Sequence, residues 1–123
     1  DMEEVVSQHN AVAECAVVGV EDQLKGQIPL GSVVLKTGET IENFQLQYEI
    51  VQLVREKIGA VAALKNIVVV DKLPKTRSGK TLRKLLRQIV DGKEYQIPST
   101  IEDLSSVDHI IEILQEYKIG VFK

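Results

Sequence analysis

Short apolar runs, each bounded by polar or turn-forming residues, indicate three β-strands. Residues 14–20, 28–36 and 66–71 have the length and the branched apolar composition that strands favour. Four branched residues in succession, Ile67 to Val70, predict that the third run is a central strand of the sheet. Pro29 belongs at an edge or at the beginning of the second strand, because it has no N–H to donate, and Gly31 predicts a bulge.

Apolar residues at helical spacing indicate four helices. The first eight residues, acidic at the start, predict a short helix, and residues 40–58 predict a second one capped by Thr40. The apolar stripe of this second helix consists of Phe44, Tyr48, Val51, Val54 and Ile58. The third helix is predicted to begin with Ser78 as its N-cap. Its apolar face comprises Leu82, Leu85, Leu86 and Ile89.

The fourth helix follows a sequence that resembles a capping box, Ser105 with Asp108 three residues later. Its stripe comprises Val107, Ile110, Ile111, Leu114 and Tyr117. The element order is therefore helix, strand, strand, helix, strand, helix, helix. This order predicts a small α+β domain with a sheet of about three strands flanked by helices, and it leaves the strand order open.

Length and composition fit one globular domain. The 123 residues are 44% apolar and 27% charged, and no apolar run approaches the roughly 20 residues that span a bilayer, so a membrane role is not expected. Cys15 is the only cysteine, which excludes a disulfide framework and a cysteine-rich metal site and favours a reducing compartment. The chain opens in what resembles the middle of a helix, so we expect it to be a piece of a longer protein.

Residues 72–87, here called the basic segment, contain seven cations and no carboxylate: Lys72, Lys75, Arg77, Lys80, Arg83, Lys84 and Arg87. The remainder of the chain holds eight basic and 18 acidic residues. So local a positive charge in an acidic chain favours a polyanionic small ligand or a phosphate-bearing surface. The alternative is a solvated, lysine-rich surface with no ligand.

Lys80 is the candidate catalytic residue of this segment. In the first turn of the predicted helix it would lie beside unpaired N–H groups that attract anions, and its ammonium could stabilise the charge that develops on a phosphate ester. Arg83, three residues later, would share the helix face with Lys80 and could pair with phosphate or with a carboxylate. The alternative for both Lys80 and Arg83 is that they are ordinary solvent-exposed residues with no role in binding or catalysis.

Other chemistries lack support in the sequence. His9 and His109 are far apart and neither has a partner at ligand spacing, so no metal site is expected. Residues 79–81 read Gly-Lys-Thr but lack the earlier glycine of a P-loop. Ser78 has no histidine partner in sequence to make it a nucleophile. The basic segment contains no aromatic residue on which nucleic-acid bases could stack, so nucleic acid is not an expected partner.

Four stretches of the chain resemble one known family. Residues 73–80 read Leu-Pro-Lys-Thr-Arg-Ser-Gly-Lys, residues 14–20 with 25–27 contain Ala-Val-Val-Gly-Val and Lys-Gly-Gln, and residues 54–59 read Val-Arg-Glu-Lys-Ile-Gly. With the tail at residues 99–103, the chain resembles the C-terminal domain of adenylate-forming acyl-coenzyme A synthetases. The tail resembles the acetyl- and propionyl-coenzyme A synthetase branch, and together with residues 28–31 it favours the propionate-like members.

The resemblance implies a mobile C-terminal domain over residues 1–123, whose N-terminal ATP- and acid-binding domain is absent from this chain. It implies a two-step ligase that uses ATP, CoA and Mg²⁺: a carboxylate and ATP give an acyl-adenylate, and CoA then displaces AMP. The lysine at the position of Lys80 would enter the site for adenylation only, and the fragment alone would be inactive. Arg55 would contact the nucleotide part of CoA, and Arg83 is a second candidate for cofactor binding.

Further implications concern partners and location. Enzymes that acylate or deacylate lysine would act on Lys80, and the protein would be intracellular, in the cytoplasm or the mitochondrial matrix. Thr81 and Ala60 depart from the family pattern, which usually has an apolar residue and a proline at these positions. Two alternatives stay open: an adenylation enzyme that loads a carrier protein, and a non-enzymatic basic interaction module.

Overall fold

Three strands form one sheet in the order β1-β2-β3, with two helices on each face. The computed structural model describes residues 1–59, 64 and 66–123. The elements are α1 (Met2–Val6), β1 (Val12–Asp22), β2 (Gly26–Leu35), α2 (Asn43–Lys57), β3 (Asn66–Val69), α3 (Arg83–Asp91) and α4 (Ser105–Glu116), with a short 3-10 turn at Gly120–Phe122. The predicted element order and the α+β class are confirmed. The departure noted at Ala60 lies outside the described residues.

The prediction that the third strand is central is wrong. β1 and β2 form an antiparallel hairpin, and β3 pairs in parallel with the other side of β2 from Leu30 onward, so β2 is the central strand. β3 is apolar because helices cover both faces of the sheet. An edge strand that is buried on both faces has the same apolar composition as a central strand. Pro29 therefore lies in the central strand, but just before the first residue that pairs with β3.

The two faces of the sheet bury separate cores. Val18, Leu30 and Val68 face α3 and α4, whereas Val33 and the partly buried Val69 face α1 and α2, as expected for side chains that alternate along strands. The bulge predicted at Gly31 occurs instead in β1, where the register shifts between Val12 and Glu14. That shift explains why Val12 packs on the α1/α2 side, although it differs from Val18 by an even number of residues.

Three helix starts differ from prediction. α2 begins at Asn43, and its buried face is Leu46, Ile50 and Val54, so the cap at Thr40 and most of the predicted stripe are wrong. Phe44 and Tyr48 are exposed. α4 begins at Ser105, but Asp103 rather than Ser105 supplies the side chain that accepts its N-terminal hydrogen bonds. The start of α3 bears on the candidate site and is described below.

The free edge of β1 is covered by carboxylates. Glu3 of α1 accepts a hydrogen bond from the Val17 N–H at 2.8 Å, and Asp91 at the end of α3 accepts one from the Glu21 N–H at 3.0 Å. Among the described residues, no helix is long and apolar enough to cross a membrane. No group of three or more His, Cys, Asp or Glu residues within the same described ranges could hold a metal ion.

Candidate functional site

Residues 74–82 fold into a tight hairpin, here called the lysine hairpin. The Leu82 N–H donates to the Pro74 carbonyl and the Thr76 N–H to the Lys80 carbonyl, both at 2.8 Å, and Lys75 pairs with Thr81. At the tip, Gly79 has a φ of +93°, which glycine adopts without the steric cost that a side chain would bring. The hairpin therefore has a defined backbone although it lies between β3 and α3.

The Thr76 side chain fixes the residue that follows the tip. Its Oγ1 accepts a hydrogen bond from the Lys80 N–H at 3.1 Å and lies 2.9 Å from the Ser78 hydroxyl. The predictions that Ser78 caps a helix and that Lys80 occupies its first turn are therefore wrong. Main-chain pairing across the hairpin holds residues 80–82 outside the helix, and α3 begins only at Arg83.

Lys80 projects from the hairpin into solvent. Its side chain is exposed, and within residues 1–59, 64 and 66–123 no carboxylate lies within 4 Å of its ammonium group. Its neighbours differ: Lys75 bonds to Glu14 of β1 at 2.7 Å, and Lys72 bonds to Asp103 at 2.8 Å. Hydrogen bonds thus fix the backbone of Lys80, whereas its charged side chain has no ion-pair partner among the described residues.

The basic segment is less positive than its composition indicated. Carboxylates from distant parts of the chain neutralise Lys72, Lys75 and Arg83. Within the basic segment, all of whose residues the structure describes, the cations without an ion pair are Arg77, Lys80, Lys84 and Arg87, and all four are exposed. Four of the seven cations of the basic segment therefore carry its unpaired positive charge, which is less than a basic interaction module would offer if all seven were free.

Arg83 is bound within the domain. Its Nε donates to Glu3 Oε2 at 2.8 Å and its Nη2 donates to the other oxygen of the same carboxylate. This bonding lowers the pKa of Glu3 and raises that of Arg83. The prediction that Arg83 shares a helix face with Lys80 is wrong, because Lys80 precedes the helix. Cofactor binding by Arg83 stays a prediction, and the ion pair is its observed role.

Arg55 lies in the last turn of α2 and is exposed. α2 packs on one face of the sheet, whereas Leu73 and Leu82, at the two ends of the lysine hairpin, pack into the core on the other face. The structure therefore does not bring the two candidate site residues together in one pocket. Lys80 and Arg55 therefore belong to two different surfaces of the domain.

The remaining candidates have structural partners. His9 Nδ1 accepts from the Ala11 N–H at 3.0 Å, and its Nε2 lies 2.6 Å from Glu49; the Asp71 N–H donates to His109 Nε2 at 2.9 Å. Burial raises the pKa of the Cys15 thiol. None of these groups contributes to the lysine hairpin.

Sequence reasoning missed two supports of the hairpin. One is Thr76, whose role depends on a side-chain bond across a tight turn. The other is the stretch of residues 99–103, which pairs with the hairpin backbone. A threonine four residues before the candidate lysine was the available signal for the first. For the second the sequence offered none, because the pairing joins segments about 25 residues apart through main-chain atoms.

Comparisons with known proteins connect this geometry to a family. Residues 1–80 match the family described as "AMP-binding enzyme C-terminal domain". An uncharacterized protein of Pseudomonas aeruginosa is 57% identical over 98% of this chain and 19% of its own length. The Homo sapiens protein named acyl-CoA synthetase short-chain family member 3, mitochondrial, is 50% identical over 94% of this chain and 17% of its own length.

A solved structure extends the likeness of the fold to nearly all of the chain. Acetoacetyl-CoA synthetase from Streptomyces lividans matches 95% of this chain, and 18% of its own, with a TM-score of 0.78 and 20% identity. At that identity the likeness concerns the fold alone. The chain thus spans less than a fifth of each of these proteins.

Proposed function

Because the chain belongs to the AMP-binding enzyme C-terminal domain family, we propose that it is the mobile C-terminal domain of a short-chain acyl-CoA synthetase. The parent enzyme activates a small carboxylic acid with ATP to an acyl-adenylate and pyrophosphate. CoA then attacks the acyl carbon, AMP leaves, and a thioester forms. The name of the human relative supports a short-chain acid, and the tail at residues 99–103 supports acetate or propionate.

The observation that carries this proposal is that Lys80 is exposed and, within the part of the chain that the structure describes, unpaired. It is an exposed cation at the end of a braced hairpin, and it has no ion-pair partner among the described residues. A lysine neutralised within its own domain could not deliver charge to another site without first breaking a salt bridge. The Lys80 ammonium is free to enter a site that another domain supplies.

In that site Lys80 acts on the first half-reaction. As the carboxylate attacks the α-phosphorus of ATP, negative charge develops on the phosphoryl oxygens while pyrophosphate leaves. A positioned ammonium stabilises this charge, and removing such a group typically lowers the rate by roughly two to three orders of magnitude. The lysine takes no proton and forms no bond, so its contribution is charge and position.

The other components belong to the N-terminal domain of the parent enzyme. That domain binds the acid, Mg²⁺ and most of ATP, and this chain is inactive without it. For thioester formation the domain presents its other surface, where Arg55 contacts the nucleotide part of CoA. Arg83 stays a weaker candidate for nucleotide contact, because it would have to leave Glu3.

The exposure of Lys80 also makes it a target for enzymes that acylate or deacylate lysine. Acylation removes the positive charge, so it would stop adenylation without altering the fold. We place this chemistry in the cytoplasm or the mitochondrial matrix. The human relative carries the word mitochondrial in its name, and a bacterial relative is similarly close.

Substitution of Lys80 in the full-length enzyme tests the proposal. Lys80→Ala should lower the rate of acyl-adenylate formation by at least about 100-fold and leave CoA transfer from preformed acyl-adenylate unchanged. Lys84→Ala, which removes an exposed cation four residues later, is the control and should retain both steps. Equal loss of both half-reactions in Lys80→Ala, or adenylation by the 123-residue chain alone, would contradict the proposal.

A further inference from the structure

We propose that residues 99–103, here called the strap, position Lys80 for adenylation, and that Asp103 is the positioning residue that fastens the strap. The inference rests on the proposed function of Lys80 but concerns residues that lie beyond the family match, which ends at residue 80. The hydrogen bonds between the strap and the lysine hairpin join main-chain atoms of residues 75–77 and 100–102.

The strap completes a miniature three-stranded sheet. Residues 74–77 form its middle arm, residues 80–82 lie on one side, and the strap lies on the other. The Arg77 N–H donates to the Thr100 carbonyl at 2.9 Å, the Glu102 N–H donates to the Lys75 carbonyl at 2.8 Å, and Thr76 pairs with Ile101 in antiparallel fashion. The arm that carries Lys80 and the strap are thus the two edges of one unit.

The middle and the C-terminal end of the strap are tied to the body of the domain. Ile101 is 9% exposed and packs in the core shared with α3 and α4. Asp103 accepts hydrogen bonds from Lys72 at 2.8 Å and from the Ser105 hydroxyl and N–H at 2.6 and 3.0 Å. It therefore joins Lys72, two residues before the hairpin, to the beginning of α4, and it holds the C-terminal end of the strap in place.

This arrangement bears on catalysis because a two-armed hairpin is marginally stable by itself. A third arm removes the open edge of the middle segment and restricts the backbone of Thr76, whose side chain holds the Lys80 N–H. Errors of about 1 Å in the position of a reacting group can lower a rate about 100-fold. A fixed backbone beneath a flexible lysine side chain limits such errors while the domain is delivered to the ATP site.

Removal of one strap hydrogen bond tests the inference in the full-length enzyme. Glu102→Pro deletes the N–H that bonds to the Lys75 carbonyl, and Glu102→Ala keeps that N–H while it removes the exposed side chain. The proline variant should lower kcat for adenylation by about 10- to 100-fold with KM for ATP within about twofold, and CoA transfer should be unchanged. The alanine variant should retain both half-reactions.

Hydrogen exchange provides a readout that does not depend on activity. In Glu102→Pro the Arg77 amide, which donates to the strap, should exchange at least about tenfold faster, whereas amides of β1 and β2 should be unchanged. If the proline variant fails to fold, Asp103→Asn tests the fastening in its place. As in the proline variant, the adenylation rate should fall and the Arg77 amide should exchange faster. Asp103→Glu should partly restore both quantities.

The outcomes separate this inference from the proposed function. If Lys80→Ala abolishes adenylation but folded Glu102→Pro and Asp103→Asn retain it, the strap has no positioning role and the inference is overturned. If Lys80→Ala retains adenylation, the proposed function fails. If the strap variants lose both half-reactions equally, the strap serves general stability and the inference is again overturned.

Discussion

Glu3 and Arg83, 80 residues apart in sequence, form a two-pronged ion pair that joins α1 to the first residue of α3. Glu3 Oε2 also accepts the Val17 N–H of β1, so one carboxylate ties three elements together. Arg83 is partly exposed, which weakens the electrostatic contribution, but the paired hydrogen bonds fix the geometry.

A double-mutant cycle with Glu3→Gln and Arg83→Met should give a coupling of about 1 kcal/mol in the free energy of unfolding, because each charge-assisted hydrogen bond contributes modestly in water. Glu3→Gln keeps an oxygen that can accept from the Val17 N–H and from Arg83 Nε, so it removes the negative charge and the hydrogen bond from Arg83 Nη2. Urea unfolding of the 123-residue chain is the measurement. Coupling near zero, together with a raised KM for ATP in full-length Arg83→Met, would favour nucleotide binding by Arg83 instead.

Gly120 should be intolerant of any side chain. Its φ is +64°, and a Cβ there would lie 2.3 Å from the Val90 carbonyl oxygen, a backbone atom that cannot easily move. Gly38 has a similar φ of +88° with nothing within 4 Å of the added Cβ. Gly38→Ala should cost about 1 kcal/mol for the backbone conformation alone, and Gly120→Ala should cost about 1–3 kcal/mol more because of overpacking. Equal unfolding midpoints for the two variants would show that the α3 contact is not tight.

Asp103 should contribute to the acid sensitivity of the chain. The Lys72 ammonium, and then the Ser105 hydroxyl and N–H, lower the pKa of this carboxyl from 3.8 to about 2. A carboxylate with a lowered folded-state pKa stabilises the fold fully above its ordinary pKa and loses that contribution as the pH falls toward 2. Chemical unfolding between pH 5 and pH 2 should therefore show a smaller loss of stability in Asp103→Asn than in the parent chain.

Some acid sensitivity should remain in that variant, because Arg83 also lowers the pKa of Glu3. Glu3→Gln combined with Asp103→Asn should flatten the profile further. An unchanged profile in Asp103→Asn would mean that the Lys72 pair does not persist in solution.

Arg55 provides a test of the second half-reaction. In the full-length enzyme Arg55→Ala should raise KM for CoA by about tenfold, as expected for the loss of one charge-assisted contact to phosphate, and should leave adenylation unchanged. Lys57→Ala, in the same last turn of α2 and equally exposed, is the matched control. An equal effect of both substitutions would indicate general attraction of CoA to a positive helix end and not a specific contact.

The sequence pattern predicted the elements well because apolar periodicity directly reflects which faces are buried. Of the predicted face of α3, Leu85, Leu86 and Ile89 are buried in the core, whereas Leu82 lies just before the helix and is partly buried. The α2 stripe failed because Phe44 and Tyr48 satisfy helical spacing equally well on the exposed side. Spacing alone does not distinguish between two apolar stripes on one helix. Which stripe is buried depends on the elements that pack against the helix.

The candidate site was predicted in identity but not in local structure. Ser78 favours helix N-caps, yet pairing between Lys75 and Thr81 overrides that preference and moves the helix start to Arg83. The charge of the basic segment was overestimated for a similar reason. The carboxylates of Glu3 and Glu14 that neutralise Arg83 and Lys75 are 80 and 61 residues away in sequence. The charge of a short stretch of sequence, considered alone, does not include partners this far away.

The carboxylates along the free edge of β1 have a consequence for behaviour in solution. Two of its outward amides, those of Val17 and Glu21, already donate to Glu3 and Asp91. A strand from a second molecule that approached this edge would find those two donors occupied. This occupancy protects the β1 edge against strand-to-strand aggregation.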